Sequence, residues 1–294
     1  MLLSIKKSRE LYIDELEKQA TSNFVEIDGC KIHYVEFGSG PILVLIHGWN
    51  NDWTGFVPFI KELNGFRVIA VDLPGYGKSD ELQGVYTVGA MAKSLAGLFE
   101  ALKVKPDIVC CLSMGSVVGV EFATTYPKLL KSLVLIGPPI IKYDWILSKL
   151  YRQYITLLNS NSVLRFIGKK IMSEGWYGHL TAKYVNMYKY DKKLIDRYGM
   201  RGRQRIKART IFEMGKSMYH YHMSRKMRDL VIPTLIIVGR FDKLIDLDEA
   251  VKISTEKDNI SLSWVEESGH VVSLEKPKSS AESIRKFSKK EKLF

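Results

Sequence analysis

The stretch "DIVCCLSMGSVVGVEFATTYP", residues 107–127, decides the fold. It opens with a continuous apolar run, which fits a strand buried on both faces. It continues from Met114 as a helix and stops at Pro127, which cannot extend one. Ser113 stands at the junction, inside "CCLSMGS" (110–116). A serine presented on such a strand-to-helix turn usually sits in Gly-x-Ser-x-Gly, because strand and helix press together there. Gly115 keeps the second small position, but Cys111 replaces the first. A thiol is small and tolerates burial, so a slightly altered turn is expected rather than a lost one. The competing reading of Ser113 is a serine at a strand end or a helix N-cap.

Strand and helix signals alternate outward from this stretch. "NFVEIDGCKIHYVEFG" reads as a hairpin turning at Asp28-Gly29. "PILVLIHG", "FRVIAVDLPGYGKSD", "LLKSLVLIG", "IPTLIIVG" and "ISLSWVEE" read as further strands. Helical spacing appears near Trp53 to Leu63, at Met91, Leu95, Leu98 and Leu102, in "LDEAVKISTE", and in "SSAESIRKFSKK". The expected fold class is α/β, a doubly wound and mostly parallel sheet with antiparallel strands at one edge. Such sheets bind ligands at the carboxyl ends of their strands.

The charge is uneven. The chain of 294 residues carries a net charge of +12, yet residues 140–228 hold 20 Lys and Arg against 5 Asp and Glu. The same segment holds ten of the fifteen tyrosines. It follows the sixth strand run and shows no clear strand, so it reads as a basic, tyrosine-rich helical cap over the strand ends. The domain reading is a helical arm over 1–23, a core over 24–139 and 230–294, and a cap over 140–229. In the arm, Ile5, Tyr12 and Leu16 share one helical face, although a frayed terminus reads equally well. Its apolar start is too short for a signal segment. No run of about 18 apolar residues suggests a membrane span. The three cysteines, Cys30, Cys110 and Cys111, are odd in number, and adjacent strand residues face opposite ways, so reduced thiols in a cytoplasmic setting are expected.

Three polar groups follow three strands. Ser113 ends "DIVCCLS", Asp242 lies just beyond "LIIVG", and His270 follows "SWVEESG". Serine is a poor nucleophile until a base takes its proton, and the base needs an acid to fix its tautomer. Asp246 and Asp248 compete with Asp242, but Asp248 reads better as a helix-start residue. His33 lies on the edge hairpin, and His179, His220 and His222 lie in the cap, so His270 has little competition as the base.

Four motifs in order now resemble the α/β-hydrolase superfamily. They are "LIHGW" (45–49), "DLPGYGKSD" (72–80), "LSMGS" (112–116), and "GRFDKLI" (239–245) with "ESGHVVSLEKP" (267–277). The resemblance covers about residues 24–139 and 230–290. It implies a Ser113–His270–Asp242 triad, with the oxyanion held by the N–H groups of Met114 and Trp49. The Trp49 side chain reads either as lining an acyl pocket or as core packing. His47 reads as shaping its loop, and Asp72 and Asp80 as structural.

Dehalogenases and epoxide hydrolases of this fold carry an aspartate where Ser113 stands, which argues against both. The elbow also lacks the "GGSWG" of proline iminopeptidases. The resemblance therefore implies cleavage of carboxylic esters through an acyl-enzyme, as in carboxylesterases and lipases, on a small-molecule acyl ester. Alternatives are a thioesterase, a carbon–carbon hydrolase or a perhydrolase with the same residues, and a receptor that binds without turnover. No metal or organic cofactor is implied. The basic cap reads as a solvated face, as a surface for anionic lipid that would make the protein peripheral to membranes, or as a site for an anionic substrate. No nucleic-acid module is recognisable.

Overall fold

The computed structural model describes residues 14–140 and 160–294, with residues 153, 156 and 157 between them. One eight-stranded sheet runs through the molecule in the order β1-β2-β4-β3-β5-β6-β7-β8. The strands are β1 (Ser22–Ile27), β2 (Cys30–Phe37), β3 (Ile42–Ile46), β4 (Arg67–Val71), β5 (Ile108–Leu112), β6 (Ser132–Ile136), β7 (Thr234–Gly239) and β8 (Ile260–Val265). β1 and β2 pair antiparallel, as do β2 and β4, and every other pairing is parallel. The hairpin turns at Asp28 and Gly29, both with positive φ, the geometry favoured by two-residue turns. β1 begins at Ser22, inside the stretch read from sequence as the arm.

The central strands β3 and β5 are apolar along their whole length because both faces are covered. Alternate residues feed two cores. Val109 and Cys111 of β5 point into the first, and Ile108, Cys110 and Leu112 into the second. The adjacent cysteines therefore lie on opposite sides of the sheet, and all three thiols are free and buried. Desolvation pushes the Cys110 and Cys111 thiols well up, so neither is a ready nucleophile.

Ahead of the sheet, Asp14 caps a short helix, Glu15–Gln19, by accepting the Leu16 N–H at 3.0 Å. The Asp14 carboxylate also accepts Lys61 Nζ at 2.7 Å and the Tyr198 hydroxyl at 2.8 Å. Glu17 pairs with Arg201. The described end of the arm is thus fastened to both core and cap. Leu16 packs on the second core, while Ile5 and Tyr12 lie outside the described residues.

Between β6 and β7 the described residues are helical, with no strand. The longer helices are Ser162–Ser173 and Ala208–Tyr219. Glu213 accepts the Tyr86 N–H at 3.1 Å, Ser217 accepts the Val88 N–H at 3.0 Å, and Arg205 donates to Asp52 at 3.0 Å. These bonds hold the cap on the loops beyond the strand ends. The last cap helix, Met223–Arg228, ties to core helices through Lys226–Glu121 and Arg228–Glu249.

Candidate active site

β5 delivers Ser113 directly onto helix Met114–Thr125. Ser113 has φ +51° and ψ −115°, a region a side-chain-bearing residue occupies only under strain. Its N–H donates to Ile136 O at 2.8 Å, and its carbonyl accepts the Ser116 N–H at 2.8 Å. The side chain makes no capping bond, so the N-cap reading fails. Gly115 is required by close approach, since a Cβ there would lie 2.5 Å from Ile46 O and 2.6 Å from His47 O. The bulk of Cys111 is accommodated further along the helix, where its sulfur lies against Gly119.

His270 Nε2 lies 2.8 Å from Ser113 Oγ, and His270 Nδ1 lies 2.8 Å from Asp242 Oδ2. Asp242 also accepts the Leu244 N–H at 2.8 Å. The consistent assignment has Ser113 O–H donating to Nε2 and Nδ1–H donating to the carboxylate. Histidine and aspartate are both buried, which strengthens these bonds relative to water. The three residues come from the ends of β5, β7 and β8, as the sequence predicted. Asp246 instead caps helix Leu247–Glu256 and Asp248 lies in its first turn.

His270 reaches from beyond β8 to Ser113 beyond β5, and so crosses the end of β6. Gly137 makes that crossing possible. It has φ +57°, and a Cβ there would lie 3.0 Å from His270 O and 3.3 Å from the ring. The other side of the histidine is held by the cap, because Asn186 O accepts the His270 N–H at 2.7 Å. Glu275 accepts the Gly269 N–H and the cap Tyr188 N–H, each at 2.8 Å. Burial pushes the Glu275 carboxyl above the usual carboxylate range, partly offset by the N–H groups it accepts. Sequence reasoning missed Gly137, Asn186 and Glu275. Glu275 stood in "ESGHVVSLEKP", but nothing there marked it as the joint between cap and histidine loop.

The loop after β3 carries Trp49. His47 is fully buried, donates from Nδ1 to Gly48 O at 3.0 Å, and accepts the Leu73 N–H at 3.1 Å. Desolvation holds its pKa below the usual value, so the ring is neutral and structural. Asp72 accepts the Trp53 N–H at 2.9 Å and binds His33 Nδ1 at 2.8 Å. Asp80 ties the edge hairpin by accepting the Lys31 N–H. The Trp49 side chain is half-buried and packs on the first core. Met114 opens its helix, where first-turn N–H groups have no intrahelical acceptor.

This arrangement can move a proton from a serine to a histidine held by a carboxylate. The family model for the alpha/beta hydrolase fold matches residues 41–277. The chain belongs to the α/β-hydrolase family. Within that family it is similar to a 2-hydroxy-6-oxononadienedioate/2-hydroxy-6-oxononatrienedioate hydrolase of Comamonas testosteroni, 25% identical over 88% of this chain and 93% of the relative. It is equally similar to a 2-hydroxy-6-oxo-6-phenylhexa-2,4-dienoate hydrolase of the same organism, 25% identical over 89% and 94%. Among solved structures, a thermophilic esterase from Thermogutta terrifontis shares the fold. It has a TM-score of 0.72 and 24% identity, covering 93% of this chain and 99% of the esterase. The protein is a hydrolase by family, and among its described residues no helix is long and apolar enough to cross a membrane.

Proposed function

We propose that the protein is a serine hydrolase that cleaves a carbon–carbon bond beside a ketone in a small acidic substrate. The observation that carries the reading is the continuous Ser113–His270–Asp242 relay. Similarity to hydrolases of 2-hydroxy-6-oxo acids supports the choice of bond. Such acids contain no ester, so hydrolysis must break a bond to the keto carbon. The excess of basic residues in the cap favours an anionic substrate.

In this mechanism Ser113 Oγ attacks the ketone carbon while His270 Nε2 takes its proton. The N–H groups of Met114 and Trp49 hold the oxyanion. Beforehand the 2-hydroxydienoate tautomerises to its 2-keto form, which moves the hydroxyl proton to the carbon beside the reacting ketone. As the tetrahedral adduct collapses, the leaving electron pair spreads from that carbon into the 2-keto acid as a dienolate, whose oxygen takes the proton from His270. Asp242 stabilises the transient imidazolium. Water, deprotonated by His270, then releases the acyl group.

A carboxylic ester or thioester would use the same atoms with an oxygen or sulfur leaving group, and this is the second reading. The strained Ser113 backbone favours it equally, because presentation of Oγ does not depend on what departs.

The test compares turnover of 2-hydroxy-6-oxo-6-phenylhexa-2,4-dienoate with p-nitrophenyl esters from acetyl to palmitoyl, for wild type and Ser113→Ala. Higher kcat/KM on the dienoate, abolished in the variant, supports carbon–carbon cleavage. Higher kcat/KM on an ester assigns the second reading. Binding or a single burst without turnover would identify a receptor and overturn both.

A further inference from the structure

Most exposed large apolar side chains on a soluble protein are scattered singly. Here they concentrate. Of the sixteen among the described residues, nine lie between residues 157 and 190. Helix Ser162–Ser173 exposes Val163, Phe166, Ile167 and Ile171. Their spacing of i, i+3, i+4 and i+8 places them on one face. The residues that this helix buries, Gly168 and Met172, lie on the opposite face. The helix thus turns its apolar stripe outward. The next helix, Gly175–Thr181, exposes Trp176 and Leu180 at i and i+4. Phe166 is 65% exposed and Trp176 is 59% exposed, values typical of charged side chains rather than large rings.

The charge within this segment is mostly basic. Residues 157–190 contain five basic residues and a single acidic one, Glu174. Lys170 interrupts the stripe itself, Lys169 flanks it, and Lys183 places its ammonium over the Tyr184 ring at 5.2 Å. Such a surface opposes a second copy of itself, since a two-fold contact would set lysines against lysines. It complements a surface that is apolar within and anionic at its edge. Tryptophan and tyrosine suit that boundary, with an apolar body and a polar tip.

We infer that the cap face carried by helices Ser162–Ser173 and Gly175–Thr181 docks on an anionic lipid bilayer. The two helices lie in the interface plane, their apolar side chains enter the acyl boundary, and Lys169, Lys170 and Lys183 meet the headgroups. This docking is independent of which bond the active site cleaves, and its test reads binding alone.

The experiment is sedimentation of the full chain with phosphatidylcholine vesicles and with phosphatidylcholine–phosphatidylglycerol vesicles, at low and high salt. Binding is expected to the anionic vesicles and to weaken as salt screens the lysines. Phe166→Glu with Trp176→Glu lowers the partition coefficient about 10-fold or more, from lost burial and added repulsion. Lys169→Glu with Lys170→Glu, a pair away from the buried face, lowers anionic binding similarly. Circular dichroism and thermal melts check that both variants fold. Equal binding by wild type and both variants, or no binding to anionic vesicles, overturns the inference. A concentration-dependent dimer broken by Phe166→Glu would also overturn it, by assigning the face to a second copy.

Discussion

The sulfur of Cys111 fills the space that a side chain on Gly119 would need. A Cβ on Gly119 would stand 2.5 Å from Cys111 Sγ and 3.3 Å from Cys111 Cβ. The turn at Ser113 therefore keeps its small-residue requirement but moves part of it one helical turn along. Gly119→Ala should overpack this contact and cost about 1–3 kcal/mol. Adding Cys111→Gly should recover most of that loss, because it removes the clashing atoms. Denaturant melts of the two single variants and the double variant check the coupling.

Gly137→Ala should act on the histidine. The new methyl meets the His270 carbonyl and ring, and alanine at φ +57° is strained. Stability should fall by about 1–2 kcal/mol. Catalysis should fall further, since a displaced imidazole loses its serine. Parallel melts and kcat measurements separate the two effects.

Within the relay, Ser113→Ala should lower kcat about 10⁴-fold or more. His270→Ala should do the same, and the double variant should be no worse than either alone, because the residues act as one unit. A double variant showing the product of two large losses would break the assignment.

Glu275→Ala removes the acceptor shared by the Gly269 and Tyr188 N–H groups. Each orphaned N–H costs about 1–3 kcal/mol when buried. The expected signature is a lowered Tm together with faster amide exchange at both Tyr188 and Gly269, since one carboxylate holds cap and histidine loop together. Exchange that rises at one site only would show that the two segments are held separately.

Asp14 predicts a pH dependence. Burial raises its pKa, but hydrogen bonds from Lys61, the Leu16 N–H and Tyr198 outweigh that, and the net direction is below 3.8. On acidification the unfolded chain therefore takes up this proton before the folded one. The stability that Asp14 adds is present above about pH 4 and fades as pH falls through the folded value. The Tm difference between wild type and Asp14→Asn should be constant near neutrality and shrink below pH 4.

Much of this protein was legible in its sequence. Strand runs such as "DIVCCL" are apolar throughout because a doubly covered sheet leaves them no polar face. Ser113 and Asp242 each follow such a run, and His270 follows the edge-strand run "ISLSWV", so their places at the strand ends could be read directly. Periodicity is a local property, and these were local facts. The sequence could not show that β6 lies between β5 and β7 in the sheet, and hence that His270 must cross Gly137 to reach Ser113. Nor could it show that the thiol of Cys111 rests on Gly119, that Asn186 and Glu275 join the cap to the histidine loop, or that helix Ser162–Ser173 turns its apolar stripe outward. Most of those contacts join residues far apart along the chain. Tertiary packing alone decides them, because an amphipathic pattern specifies a face and not what that face meets.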